Sequence, residues 1–218
     1  MVKVGVVLSG CGFLDGSEIH EAVLTLLALD RAGATAVCLA PDIEQKNVVN
    51  HKSGSEAESV RNVLEESARI ARGKVQDVAK VQAGALDALV LPGGYGAAKN
   101  LCDFASAGVK ARVDPGVLKL VREMHAAKKP IAAWCIAPAL LAAALKEAHV
   151  KLTIGDDAGT AQALEGMGAR HVVCPVTEMR VDEANRVVTT PAYMYDARIG
   201  DVATGIEKAV AELLRLCR

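Results

Sequence analysis

Cys135 and Glu21 are the two residues of this 218-residue chain placed where they could do covalent chemistry. Cys135 lies in Ile131-Ala-Ala-Trp-Cys135-Ile-Ala-Pro138, where a short apolar run gives way to a segment whose proline suits the first turn of a helix. A thiol at such a junction faces free amide N–H groups and the positive end of the helix dipole. Both lower its pKa and raise the thiolate fraction at neutral pH. The amides of Ile136 and Ala137 could hold a developing oxyanion. The same residue also reads as a packed thiol, because free cysteines are among the most buried side chains. Glu21 closes Asp15-Gly-Ser-Glu-Ile-His-Glu21. Asp15 and Glu18 have capping-box spacing, which gives Glu18 a structural task. Glu21 lies one turn further in. It is an acid/base if its face turns toward a sheet crevice, and a solvated glutamate otherwise. His20 reads as a surface or cap residue.

A third segment, Leu91-Pro-Gly-Gly-Tyr-Gly-Ala-Ala-Lys-Asn100, is a glycine turn whose backbone N–H groups could approach a ligand closely. It lacks the third glycine of a dinucleotide fingerprint and the Ser/Thr of a P-loop. An oxyanion turn beside the cysteine and a tight turn without a ligand both remain open. No His, Cys, Asp and Glu have zinc spacing, and the expectation is no metal.

These segments need elements to hold them. Short β-branched runs at Val2–Leu8, Ala34–Ala40, Leu86–Leu91 and Ile131–Trp134 read as strands. Apolar positions at helical spacing mark helices at Ser17–Ala32, Val60–Ala71, Gly116–Lys128 and Ile136–Glu147. Beyond Val150 a helix at Gly159–Met167, short strands at Val150–Ile154, His171–Pro175, Met179–Asp182 and Arg186–Thr189, and a closing helix at Ile199–Leu216 are expected. Alternating strands and helices predict a mainly parallel sheet covered on both faces, with its site at the carboxyl ends of the strands. Ser9–Glu21, Pro92–Asn100 and Trp134–Leu140 all fall there.

Composition narrows the function. The formal net charge is −1, which argues against nucleic acid or an anionic membrane as partner. Half the chain (51%) is hydrophobic but only 3% aromatic, against 38 alanines, so the core is built from Ala, Val and Leu. The six rings, Phe13, Tyr95, Phe104, Trp134, Tyr193 and Tyr195, all fall in or near the motifs. They are expected to wall a small pocket around Cys135. The first apolar run lacks a basic n-region and no cysteines form a CxxC pair. Reduced thiols and a cytoplasmic location are therefore expected.

Ser9-Gly-Cys-Gly12, Asp15 to Glu21, Arg61-Asn-Val-Leu64, Pro92 to Leu101, Cys135-Ile-Ala-Pro138 and Thr189-Thr-Pro-Ala-Tyr-Met194 closely resemble the ElbB glyoxalase family, within the class I glutamine amidotransferase-like (ThiJ/PfpI) superfamily. The resemblance covers essentially the whole chain. It implies one such domain over residues 1–218, folded as a flavodoxin-like three-layer α/β sandwich with a nucleophile elbow. It implies Cys135 as nucleophile, Glu21 as its acidic partner and Gly93-Gly94-Tyr95 as the oxyanion turn. With Ile136 and Ala137 these are the expected oxygen-binding residues, and Cys11, Phe13, Asn100, Trp134 and Tyr193 the expected pocket wall. Many superfamily members carry a His on the strand and loop after the elbow helix. Here Lys151 to Asp157 has none, which argues against a full Cys-His-Glu triad and against glutamine hydrolysis.

The expected activity is a cofactor-independent, glutathione-independent glyoxalase of the lyase class. It converts glyoxal, or methylglyoxal, to the 2-hydroxy acid through a Cys135 hemithioacetal, and the resemblance implies a homo-oligomer, a dimer. Two alternatives use the same thiol. In one Cys135 is a redox or electrophile sensor, or part of a partner-binding protein, without turnover. In the other the chain is a deglycase acting on glycated amines.

Overall fold

The computed structural model describes residues 1–218. Along the chain run β1 (Lys3–Val7), α1 (Ile19–Arg31), β2 (Thr35–Ala40), α2 (Val63–Ile70), β3 (Val75–Asp77), β4 (Ala88–Leu91), α3 (Tyr95–Lys99), α4 (Phe104–Ala107), α5 (Pro115–Ala126), β5 (Ile131–Trp134), α6 (Pro138–Ala144), β6 (Lys151–Leu152), α7 (Ala158–Gly166), β7 (Arg170–His171), β8 (Arg180–Asp182), β9 (Val187–Thr190) and α8 (Ile199–Leu216). Seven strands form one sheet in the order β3-β2-β1-β4-β5-β9-β8, and β6 pairs with β7 apart from it. Every pairing in the large sheet is parallel except the β8–β9 hairpin, where Val181 faces Val188. This is the flavodoxin-like α/β arrangement expected from the alternation of elements.

Alternate residues of each strand go to opposite faces. Leu89, Leu91, Ile131 and Ala133 join one apolar cluster with Val117, Leu120, Leu140 and Leu164 of α5, α6 and α7. Ala88, Val90, Ala132 and Trp134 join the other, with Ala22 and Leu29 of α1 and Ile206, Val210 and Leu213 of α8. Both faces are therefore covered, and the inner strands read as continuous apolar runs.

Three sheet neighbours, β1, β4 and β5, end at the same edge. Their loops are Ser9 to Glu18, Pro92 to Gly94 and Cys135 to Ala137. Glu18 is the N-cap of α1: its carboxylate accepts the Glu21 N–H at 2.6 Å. Helix α1 starts at Ile19 and not at Ser17, whose hydroxyl instead accepts the Ser9 N–H at 2.8 Å. Helix α6 is shorter than its apolar pattern suggests. It gives way after Ala144 to a 3-10 turn that ends at His149, which has φ +47°.

Candidate active site

Cys135 sits one residue past β5 with φ +55°. That left-handed conformation costs an L-residue about 1–3 kcal/mol and persists only where its surroundings enforce it. Here the Cys135 N–H continues the ladder to Thr190 O at 3.1 Å, and the Ala137 N–H closes a turn on Trp134 O at 2.9 Å. The sharp bend aims the sulfur at the glycine turn after β4. No side chain fits at Gly93: a Cβ there would lie 2.5 Å from the Cys135 Cβ and 2.7 Å from Glu21 Oε2. Gly94 takes φ +95°, and a Cβ on it would meet the Glu18 nitrogen at 2.3 Å.

Glu21 is fully buried. The Gly93 N–H donates to its Oε2 at 2.8 Å and the Tyr193 N–H to its Oε1 at 3.2 Å. The carboxyl and the Cys135 side chain meet across Gly93, close enough that a single methyl there would touch both. Burial, reinforced by the nearby Glu18 charge, lifts the Glu21 pKa to about 8 against these amide bonds. The dipole argument for Cys135 is reversed. Burial, then the Glu21 charge, pushes its thiol well above the ordinary value, and the N–H groups of Gly94 and Ile136 only partly oppose this. Two groups that each resist ionisation and lie this close together titrate as a pair. The first proton leaves mainly from Glu21, and passing the thiol proton to that carboxylate gives the minor, reactive form with Glu21 protonated and Cys135 as thiolate. In it the carboxyl O–H can donate to the sulfur.

Five residues were expected to bind oxygen, but three of their amides are engaged elsewhere. Gly93 N–H holds Glu21, Tyr95 N–H donates to Phe13 O at 2.7 Å, and Ala137 N–H donates to Trp134 O. The N–H groups of Gly94 and Ile136 face the sulfur. They are the two left for an oxyanion.

A cavity of about 320 Å³ opens over Cys135. Phe13, Tyr95, Phe104 and Tyr193 line it with Ile136 and Met194, and Glu18 and Thr160 supply polar groups. Four of the six aromatic residues thus surround one pocket. The scarcity of rings was the signal for Phe104 and Met194 ends a motif segment, whereas Thr160 carried no signal. The other expected wall residues lie elsewhere. Trp134 is fully buried against α1, with its indole N–H on Thr25 Oγ1 at 2.8 Å. Asn100 ties the loops together, donating to Ser9 O and Asp15 O and accepting the Lys46 N–H, each at 2.9 Å. Cys11 lies beside the Glu66 and Arg69 charges. Tyr195, also expected near the pocket, donates its hydroxyl to Cys174 O at 3.0 Å. No three His, Cys, Asp or Glu side chains are grouped to hold a metal ion. His171 is on β7, where its ring accepts the Ile154 N–H.

The sequence pattern of the DJ-1/PfpI family matches residues 11–190, a span that contains the elbow, the glycine turn and Glu21. The chain is 47% identical to a rat protein named ES1 protein homolog, mitochondrial, over 98% of its own length and 84% of the relative's. It is 46% identical to the human glutamine amidotransferase-like class 1 domain-containing protein 3, mitochondrial, over 98% of the chain and 83% of the relative. A crystal structure of an isoprenoid biosynthesis protein with an amidotransferase-like domain from Ehrlichia chaffeensis is 42% identical. It superposes with a TM-score of 0.95, covering 100% of both chains. The expectation of a cytoplasmic location is corrected by these relatives, which are named mitochondrial, as is the ES1 protein of zebrafish. The names of the rat and zebrafish relatives state no reaction.

Proposed function

The chain belongs to the DJ-1/PfpI family, and from the geometry of its elbow we propose that it is a glyoxalase needing neither cofactor nor glutathione, acting on glyoxal or a similarly small 2-oxoaldehyde. The observation that carries this reading is the placement of the Cys135 side chain and the fully buried Glu21 carboxyl on either side of Gly93, with burial raising the carboxyl's pKa. A carboxyl so placed can give and take a proton near neutral pH. The pocket is small, with mostly apolar walls and polar atoms from Glu18, Thr160 and two tyrosines.

The reaction begins from the singly protonated pair. The Cys135 thiolate adds to one aldehyde carbon, and the carbonyl electron pair moves to oxygen. That oxygen lies against the Gly94 and Ile136 amides and takes the Glu21 proton, giving the hemithioacetal. Glu21, now a carboxylate, removes the hydrogen on the sulfur-bearing carbon, and the electrons flow to the second carbonyl as an enediol forms. Returning the proton to the far carbon, while the proton on the first oxygen passes to the second, yields a thioester of glycolic acid. One carbon has been oxidised and its neighbour reduced, so no external redox partner is required. Water then cleaves the C–S bond and releases glycolate and the thiol. Overall, glyoxal and one water become glycolic acid.

The sensor alternative uses the same thiol and differs in that it predicts capping of Cys135 without turnover. The test is loss of glyoxal in glutathione-free buffer. Wild-type protein should consume it steadily and Cys135→Ala should not exceed buffer alone. Equal rates for the two would refute the proposal.

A further inference from the structure

A vicinal dicarbonyl has two oxygens, and the elbow offers amides to only one of them. The Gly94 and Ile136 N–H groups face the sulfur and so serve the carbonyl under attack. The second oxygen gains charge when the enediol forms. Its donor has to come from a side chain of the pocket, where Tyr95, Thr160 and Tyr193 are the hydroxyl-bearing candidates. Tyr95 is half exposed, whereas Tyr193 is built into the site. Its backbone N–H binds Glu21 Oε1 at 3.2 Å, after a turn in which Ala192 takes φ +45°. Its hydroxyl lies 2.8 Å from Nδ1 of His20, the residue before Glu21 on the same helix. The Tyr193 phenol is held above its ordinary pKa by partial burial and by the charges of Glu18 and Glu21, so it stays a donor.

We propose that Tyr193 donates its O–H to the second carbonyl oxygen of the substrate, and that His20 is the positioning residue that orients it by donating Nδ1–H to the phenol oxygen. A phenol has one proton to donate. If Tyr193 gave it to His20, none would remain for substrate, so the imidazole must be the donor in this pair. The pair brings together groups from α1 and from the loop after β9. The substrate class follows: compounds with two adjacent carbonyl oxygens, favoured over simple aldehydes and ketones. This inference rests on the dicarbonyl reading above, deepening it.

The test uses two readouts on wild type, Tyr193→Phe, His20→Ala and His20→Asn. The first is glyoxal turnover. Tyr193→Phe should lower kcat about tenfold or more with KM little changed. His20→Ala should follow in part, and His20→Asn, which restores an N–H near the Nδ1 position, should recover most of the loss. The second is equilibrium protection of Cys135 from iodoacetamide by diacetyl, which can form the adduct but has no hydrogen on the attacked carbon and so stops there. Trifluoroacetone, with a single carbonyl, is the control. Tyr193→Phe should weaken diacetyl about three- to tenfold, the range of one neutral hydrogen bond, and leave trifluoroacetone unchanged. Equal effects on both ketones, or none on either, overturn the proposal even if glyoxal is turned over. A selective loss of diacetyl in a protein that turns over no glyoxal supports Tyr193 while removing the glyoxalase reading.

Discussion

Replacing Glu21 with Gln removes a buried acid and keeps its shape, so the effect on stability should change with pH. The Glu21 pKa rises from 4.5 to about 8 on folding. The folded chain therefore binds the proton more tightly than the unfolded chain. The resulting stabilisation is complete below pH ~4.5 and is lost as pH climbs through about 8. At about 1.36 kcal/mol per pKa unit, wild type should lose roughly 2.5 kcal/mol between pH ~5 and ~7, and about 1.4 kcal/mol more by pH ~9. Glu21→Gln should lack this loss. The variant also carries a fixed penalty. Gln offers one oxygen to two N–H groups, from Gly93 and Tyr193, and leaving one unpaired costs about 1–3 kcal/mol at every pH. The slope of the difference with pH is thus the signal and its intercept is not. Urea unfolding at several pH values reads it directly, because Trp134 is the single tryptophan and is fully buried. If wild type and variant stay parallel within about 0.5 kcal/mol from pH ~5 to ~8, the buried, protonated Glu21 is refuted.

Three further outcomes are expected. In kinetics, kcat/KM for glyoxal should rise from pH ~6 through about 8 as the Cys135–Glu21 pair loses its first proton, then fall as the second leaves. A flat profile would show that the pair does not control the reaction. Gly93→Ala should abolish turnover and destabilise the fold by about 1–3 kcal/mol, since the new methyl meets Cys135 Cβ and Glu21 Oε2; an active, stable variant would contradict the packing described. Tyr195→Phe should leave glyoxal kinetics within about twofold while costing about 1 kcal/mol in urea unfolding, because it loses only the bond to Cys174 O.

Much of this arrangement was legible along the chain because the strand ends are marked locally. Ser9-Gly10, Pro92-Gly93-Gly94 and Cys135 with Pro138 each punctuate an apolar run, and their strands are neighbours in the sheet. What was missed depends on distant partners. Strand β3, Val75–Asp77, has too few apolar residues to stand out and exists by pairing with β2. The local signal at Cys135 is a helix start that lowers its pKa. The opposing influence comes from burial and from Glu21, which is far away in sequence. Asn100 reads as part of a glycine-turn ligand site, yet its bonds cross 91 and 85 residues to fasten two loops. His20 looks like a surface residue of α1 until Tyr193, 173 residues later, is placed against it.

The account turns on Cys135 working repeatedly on an aldehyde. Counting glycolate released per thiol by proton NMR, in glutathione-free buffer with excess glyoxal, tests this most directly. Many equivalents per Cys135 thiol are predicted, with none from Cys135→Ala. One equivalent or less, with the wild-type thiol left capped, would contradict it.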